Sequence, residues 1–359
     1  MKKYLLTKIE RAQREGLVFI FFQFKKLLFD KILIGIPVYI LAFIILIIIR
    51  LISPFYLIRI DQLFSARIGH FAANTELYLS EKDEGIAVPK SKYIDLFFLD
   101  GRISNKYLLQ MWKRILIIGP MFLLYRIYNL NFLIPGGNKH LIFNNLDDHD
   151  VYQVIDKTKP HLSFSKEEIE YGKKKLLEMG IPPNAKIALI IVRDSKYLEV
   201  NFKYSDFSYH SYRDCNINNY KKAAEYLVSK DFYVIRMGIH VKDKFESNND
   251  KIIDYANIKE FQSPFMDIFI GFISTFSITS GQGYDAVPNF LFRKPMLFTN
   301  SVPLGILPTY RKQSIIVPKK YYSTDLKEYI PFKEVLNKGY GFFAETQQYS
   351  ENKIEVIQN

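Results

Sequence analysis

The sequence has a single cysteine, Cys215, among 359 residues. One thiol excludes an intrachain disulfide framework and a zinc site built on cysteines. The dinucleotide-binding motif G-x-G-x-x-G is absent, because Gly281 and Gly283 lack the third glycine. The P-loop lysine with its Ser/Thr is absent too, as is the nucleophile elbow G-x-S-x-G. These absences argue against dehydrogenases and P-loop enzymes, but not against a nucleotide-sugar site.

Signals for nucleic acid and metal are also missing. There is no zinc-finger spacing, no basic heptad region and no RNP-like aromatic motif, and the net charge of +12 is spread along the chain. No histidines stand at metal-ligand spacing, and the acidic stretch 144–150 is more typical of a solvated loop than of a divalent-ion site. We therefore expect no metal, no cofactor and no nucleic acid. The basic balance instead favours an anionic substrate or an anionic membrane surface.

Charge is absent from residues 32–49, an apolar run of 18 residues at the lower limit for spanning a bilayer. Residues 1–31 carry eight Lys/Arg and three acidic residues and resemble a basic amphipathic lead-in. The run lies too far from the start for a cleavable signal, and no small-residue cleavage site follows it. A buried core helix is the alternative to a membrane anchor. Because arginines follow the run as well, a spanning helix and an in-plane anchor both stay open.

The remaining chain alternates between apolar strand patterns and amphipathic helix patterns, which predicts parallel sheets covered by helices. We expect an α/β protein with two doubly wound, Rossmann-like domains. The predicted division is an anchor at 1–55, an N-terminal α/β domain at 56–160, a C-terminal α/β domain at 161–330, and a helical tail at 331–359 that packs back on the N-terminal domain. Residues 194–217 are expected to form a long loop.

Several predicted strand ends carry arginine or glycine. In open α/β sheets, ligands bind beyond the carboxyl ends of the strands. Glycine lets backbone amides approach a phosphate, and arginine offers it two parallel donors. Each feature alone is more typical of a turn or a solvated charge, but four strand ends together favour a diphosphate ligand. These ends are Arg67–His70, Arg193–Ser195, Arg236–Gly238 and Ser280–Gly283.

Five segments in this order resemble a poorly characterised bacterial GT-B-like glycosyltransferase family of surface-polysaccharide gene clusters. They read SARIGHFAANTELYLSE, VRDSKYL, HSYRDCNINNYKKAAEYL, FYVIRMG and SGQGYDAVPNFLFRKPMLFTN, within residues 56–310. The resemblance implies two Rossmann-like domains facing a cleft. It also implies metal-independent, hexosyltransferase-type transfer from a nucleoside-diphosphate sugar to a glycan or lipid-linked acceptor. Lipopolysaccharide and capsule are products of this class, and the enzyme would work on the cytoplasmic face of the inner membrane.

The resemblance also implies roles for individual residues. On the acceptor side it places Arg67, Gly69 and Asn74, with His70 as the candidate base. The donor-binding set is Arg193, Asp194, His210, Arg213, Arg236, Gly238, Ser280, Gly281, Gln282, Gly283 and Asp285. Inverting and retaining chemistry both stay open. A non-catalytic membrane-associated scaffold of a polysaccharide assembly complex is the alternative function.

Overall fold

The computed structural model describes residues 35–142, 149–201, 206–309 and 311–359. The basic lead-in and most of the acidic stretch 144–150 lie outside these residues. The strands are β1 (Leu57–Leu63), β2 (Tyr93–Leu99), β3 (Ile117–Ile118), β4 (Lys186–Ile191), β5 (Phe232–Arg236), β6 (Ile252–Ile253), β7 (Phe276–Thr279), β8 (Met296–Ser301), β9 (Ser314–Pro318), β10 (Lys320–Ser323), β11 (Glu328–Ile330) and β12 (Ile354–Ile357).

The α-helices are α1 (Ile36–Ile52), α2 (Ile68–Asp83), α3 (Lys106–Trp112), α4 (Met121–Phe132), α5 (Lys166–Glu178), α6 (Lys196–Asn201), α7 (Lys221–Ser229), α8 (Pro264–Ile273), α9 (Phe332–Asn337) and α10 (Thr346–Glu351). The chain divides into two compact units. The first takes in residues 1–63, 88–102 and 115–144, and the second takes in residues 64–87, 103–114 and 145–359. The predicted domain boundaries and the predicted cleft stay predictions.

The second unit contains a six-stranded parallel sheet in the order β6-β5-β4-β7-β8-β9. The chain moves outward from β4 to β6, then returns to β7 beside β4 and moves outward on the other side. This is a doubly wound sheet, and its order reverses between β4 and β7. The predicted α/β class with parallel sheets is confirmed. Ligands bind at such a reversal in open sheets.

Continuous apolar strands explain why this sheet is buried on both faces. Ile187, Ala188, Leu189, Ile190 and Ile191 of β4 are each at most 2% exposed. A strand with no polar face cannot lie at the surface, so it takes the central place between β5 and β7. This central position carries Arg193, two residues after the end of β4, to the middle of the sheet edge.

The first unit contains the parallel sheet β1-β2-β3, in which Leu57 pairs with Tyr93. Helices α1 and α4 share one hydrophobic core with this sheet; it contains Ala42, Leu46, Ile49, Ile60, Phe98, Leu124 and Ile127. Among the residues that the structure describes, no helix is long and apolar enough to cross a membrane. Helix α1 has 17 residues.

Two stretches differ from the sequence pattern. The apolar spacing of residues 104–118 predicts one helix, but α3 ends at Trp112, and Ile117–Ile118 pair with β2. The expected loop 194–217 contains α6 and a 3-10 helix at Ser208–Arg213. In both cases tertiary contacts determine the local structure. Ile117–Ile118 form strand β3 because they pair with β2. The segment around Arg213 is held because the buried Lys319 Nζ donates to the carbonyls of Tyr212 (2.8 Å) and Asp214 (2.7 Å).

The C-terminal tail does not pack on the N-terminal domain as the sequence analysis expects. It contains α9 and α10, but β12 pairs antiparallel with β10 of the second unit. Tyr349 is buried against Tyr212 and Tyr321, with ring centroids 5.0 Å and 6.1 Å away. The reason is this aromatic cluster, since the tail supplies the ring that covers Tyr212.

Two glycine backbones meet inside the second unit. A Cβ on Gly69, in the first turn of α2, would lie 2.8 Å from Gly283 Cα and 3.0 Å from Gly283 O. Real Cβ atoms do not approach backbone so closely, so only glycine fits at position 69. This contact sets the distance between the start of α2 and the loop after β7.

We predict that Gly69→Ala lowers the free energy of unfolding by about 1–3 kcal/mol, because the added methyl group overpacks the contact. Helix propensity alone would give the opposite sign, with alanine more stable by up to about 1 kcal/mol. Urea unfolding measures the change. Gly283→Ala is the matched control, since its Cβ would lie 3.3 Å from Gly69 N and should cost less. A stabilised Gly69→Ala variant would contradict the prediction.

Candidate functional site

A cavity of about 570 Å³ lies in the second unit, beyond the carboxyl ends of β4, β5, β7 and β8. This volume falls within the range of small-molecule sites. The cavity brings together residues predicted for the donor and acceptor sides: Arg67, Gly69, His70, Arg193, Asp194, His210, Arg213, Gly238, Ser280, Gly281, Gln282, Gly283 and Asp285. All of them belong to one unit, because that unit includes α2. Arg236 and Asn74 are not among the lining residues.

Positive charge is concentrated at one part of this cavity. Arg67, Arg193 and Arg213 all act electrostatically on His210. Burial, followed by the charges of these three arginines, lowers the pKa of His210 to about 4. Its Nδ1 is buried and has no hydrogen-bond partner within the part of the chain that the structure describes. The arrangement favours a neutral imidazole facing an anion-binding position.

The two arginines of the neighbouring loops are held by specific contacts. The Arg193 backbone N–H donates to Ser280 Oγ (2.8 Å), and its Nε lies 3.2 Å from Asp214 Oδ1. The Arg213 Nη2 donates to the Gly281 carbonyl at 3.1 Å. Burial, followed by the neighbouring Arg213, lowers the pKa of Arg193. A bound anion would oppose both effects, because an opposite charge favours the guanidinium.

Two backbone amides of the loop after β7, which the sequence predicts to be a phosphate cradle, are bonded within the loop. The Gly281 N–H donates to Thr279 Oγ1 (3.0 Å), and the Gln282 N–H donates to Asp285 Oδ2 (3.1 Å). Thr279 Oγ1 also donates to Asp285 Oδ2 at 3.2 Å. These amides are therefore already bonded within the loop, and Asp285 holds the turn together. Gly281 has φ +81°, a left-handed conformation that favours glycine.

His70 lies on the cavity wall with a defined partner behind it. Its Nδ1 is 3.1 Å from Oδ1 of Asn74, one helical turn later on α2. An amide oxygen accepts, so this contact favours the tautomer with the proton on Nδ1. Nε2 is then an acceptor, as a base requires. Asn74 thus orients His70 and does not itself line the cavity, although the sequence placed it on the acceptor side.

Arg236 forms a buried ion pair outside the cavity wall. It is 1% exposed, and its Nη1 donates to Asp254 Oδ1 at 3.0 Å. Asp194 accepts from the backbone N–H groups of Lys196 (2.9 Å) and Lys242 (3.1 Å), so it fixes the loops after β4 and β5. These two predicted donor residues therefore have clear positioning contacts in the structure.

Sequence reasoning missed Asp267, a carboxyl on α8 that lines the cavity. It is 8% exposed, and its Oδ1 accepts from the Tyr255 hydroxyl at 2.9 Å. Burial raises its pKa to about 6. The signal available in the sequence was an aspartate inside an otherwise apolar helix, "SPFMDIFIGFIS". A buried carboxyl with no ion pair in the described chain is able to accept hydrogen bonds from ligand hydroxyls.

Within the described ranges, no group of three or more His, Cys, Asp or Glu residues is arranged to hold a metal ion. The expected absence of a metal stays a prediction.

No protein-family model and no curated protein matches the chain. Similar solved structures include the E. coli ADP-heptose LPS heptosyltransferase II, with 12% identity, TM-score 0.44, and coverage of 80% of this chain and 98% of that one. A glycosyl transferase family 9 structure from Veillonella parvula has 10% identity and TM-score 0.44, with coverage of 74% and 86%. At these values the likeness is weak and assigns neither a family nor an activity.

The low pKa of His210 leads to a prediction about proton uptake. A diphosphate among the arginines would favour the imidazolium, so the pKa of His210 rises on binding. Affinity for a nucleoside-diphosphate sugar should therefore increase about three- to tenfold as the pH falls from 7.5 to 5.5. Isothermal titration calorimetry measures this change.

His210→Gln is the control, because glutamine does not titrate and the other cavity groups, Asp267 among them, stay in place. The wild-type slope should flatten in this variant. Equal slopes in the two proteins would contradict the assignment to His210.

Proposed function

We propose that this protein is a glycosyltransferase that moves a sugar from a nucleoside-diphosphate donor to a glycan or lipid-linked acceptor in cell-surface polysaccharide synthesis. The observation that carries this proposal is the placement of Arg67, Arg193 and Arg213 in one cavity at the reversal of a doubly wound sheet. The five motifs quoted above support the same class.

The charge of the cavity suits a diphosphate. Arginine forms two parallel hydrogen bonds to phosphate oxygens, and such charge-assisted bonds are roughly twice as strong as neutral ones. Arg193 is partly buried and has one carboxylate partner, Asp214, while a second guanidinium, Arg213, acts on it. A ligand with two negative charges would balance this excess. A neutral ligand would leave it uncompensated.

His70 is proposed as the base of an inverting reaction. It would take the proton from the acceptor hydroxyl at Nε2, while Nδ1–H stays bonded to Asn74. The hydroxyl oxygen then attacks the anomeric carbon of the donor sugar, and the bond to the diphosphate breaks. The arginines stabilise the negative charge that develops on the leaving diphosphate. No resident cofactor or metal is proposed for these steps.

Donor binding tests the function directly. Thermal melting of the full chain with UDP-, GDP-, ADP-, dTDP- and CMP-sugars should give a higher midpoint with at least one diphosphate donor, since a ligand that binds the folded state stabilises it. No shift with any donor would overturn the proposal and favour the non-catalytic scaffold. Transfer to an extracted lipid-linked acceptor then separates binding from catalysis.

For Arg213→Ala, we predict a loss of about 1.5–3 kcal/mol of donor binding free energy, because a charge-assisted phosphate contact disappears. Calorimetric titration with the donor found by melting measures the loss. Arg213→Lys should recover part of the loss, since lysine keeps the positive charge but cannot form the two parallel hydrogen bonds of a guanidinium. Arg114→Ala is the matched control, because Arg114 pairs with Glu168 and does not line the cavity. Unchanged affinity in Arg213→Ala would remove Arg213 from the donor site.

For His70→Ala, we predict a turnover about 10²- to 10⁴-fold lower at unchanged donor affinity, because the general base is lost. Single-turnover product formation and donor titration give the two numbers. Asn74→Ala should lower turnover less, since it releases the imidazole without removing it. Product formation at the wild-type rate in His70→Ala would leave this histidine with a purely structural role.

A further inference from the structure

The outward side of α1 is apolar along its whole length. Nine large hydrophobic side chains of this helix are between 38% and 70% exposed, namely Ile36, Tyr39, Ile40, Leu41, Phe43, Ile44, Ile47, Ile48 and Leu51. The only charged residue within the helix is Arg50, near its end. Exposed apolar surface of this extent marks an interaction site.

Helix α4 extends this surface within the first unit. Met121, Phe122, Tyr125 and Phe132 of α4, with Leu133 after it, are between 42% and 77% exposed. The two helices lie side by side, because their inward residues share one core. On the outside, the Arg126 guanidinium of α4 lies 5.0 Å from the ring centroid of Tyr39 of α1. We call the exposed side chains of α1 and α4 the apolar face.

The geometry of α1 favours a helix that lies in the plane of a bilayer over one that crosses it. Its inward side chains Ala42, Leu46 and Ile49 are at most 5% exposed, because they pack on the unit's own sheet. One side of the helix is thus already occupied by protein, and the other is left for lipid.

Charge distinguishes lipid from a second copy of the chain as the occupant. Residues 1–31, which precede α1 in the sequence, carry eight basic and three acidic residues, and the whole chain has a formal net charge of +12. Two copies joined through this face would bring two chains of this charge together, and these would repel. An anionic bilayer would attract the same positive charge.

We propose that the apolar face of α1 and α4 is a monotopic docking surface for an anionic lipid bilayer. The face inserts its side chains among the acyl chains, and the long side chain of Arg126 carries its guanidinium to the level of the headgroups, where cations are stable. This surface is separate from the donor chemistry and does not depend on it.

Vesicle flotation of the full chain tests the proposal, with phosphatidylethanolamine/phosphatidylglycerol vesicles against phosphatidylcholine vesicles. The triple variant Ile40→Asp/Ile44→Asp/Ile48→Asp should reduce the bound fraction by about tenfold on anionic vesicles, because it places charges in the inserted face. The matched control is Leu177→Asp/Tyr226→Asp/Leu326→Asp, which makes the same change at three exposed apolar positions of the second unit. It should float like the wild type.

A second measurement needs no disruptive change. Tyr39→Trp places a fluorophore on the face, and brominated lipids should quench it, whereas Tyr226→Trp should not be quenched. The single native tryptophan, Trp112, is fully buried and gives the same background in both. Neither readout uses a nucleotide, so a failure here is distinct from a failure of the proposed transferase function.

Three outcomes would overturn the proposal. The first is flotation of the triple variant at the wild-type level. The second is an unquenched Tyr39→Trp chain that is nevertheless bound to vesicles. The third is a dimer by light scattering that the triple variant converts to a monomer without loss of vesicle binding, which would assign the face to a second copy.

Discussion

The close approach of Gly69 and Gly283 is the constraint on which the candidate site depends. At a Cβ-to-Cα distance of 2.8 Å, no side chain fits on Gly69. The contact therefore joins the first turn of α2 to the loop after β7, and with α2 come Arg67 and His70. Without it, the cavity would consist only of the loops that follow the parallel strands. With it, a candidate base and a third arginine line the same cavity as Arg193 and Arg213.

The electrostatics of the cavity follow from this crowding. An arginine side chain that is free to turn into water keeps its hydration and loses little free energy. Arg193 is instead held by Asp214 and by the bond from its own backbone N–H to Ser280. Because Arg193 is fixed in the cavity wall, burial lowers its pKa. Burial is also the main reason why the pKa of His210 is low and its imidazole stays neutral. The Gly281 and Gln282 amides are bonded to Thr279 and Asp285 within their own loop, so the arginine side chains carry most of the capacity to bind an anion.

Sequence periodicity was enough to predict the parallel sheet, because strands such as β4 are apolar at every position after the first, Lys186. It also placed Arg193 and Ser280–Gly283 correctly after the ends of strands. Three features were beyond its reach. Residues 117–118 leave a helical pattern because a neighbouring strand offers ladder bonds. Asn74 bonds to His70 and does not line the cavity. The sequence could not show this, because the position of the cavity depends on the folded chain. Asp267 was hidden in an apolar helix, since its importance comes from a cavity that only the folded chain forms.

The same limit applies to the tail and to the first unit. Tyr349 covers Tyr212, and Lys319 holds the carbonyls of Tyr212 and Asp214, so residues far along the chain fix the turn that carries Arg213. An apolar run of 18 residues reads equally well as a span, an anchor or a core helix. The structure divides its sides: Ala42, Leu46 and Ile49 face protein, and Ile40, Ile44 and Ile48 face outward. A helix that packs on protein along one side cannot be surrounded by lipid. Its opposite side exposes large apolar side chains, which are unfavourable in contact with water.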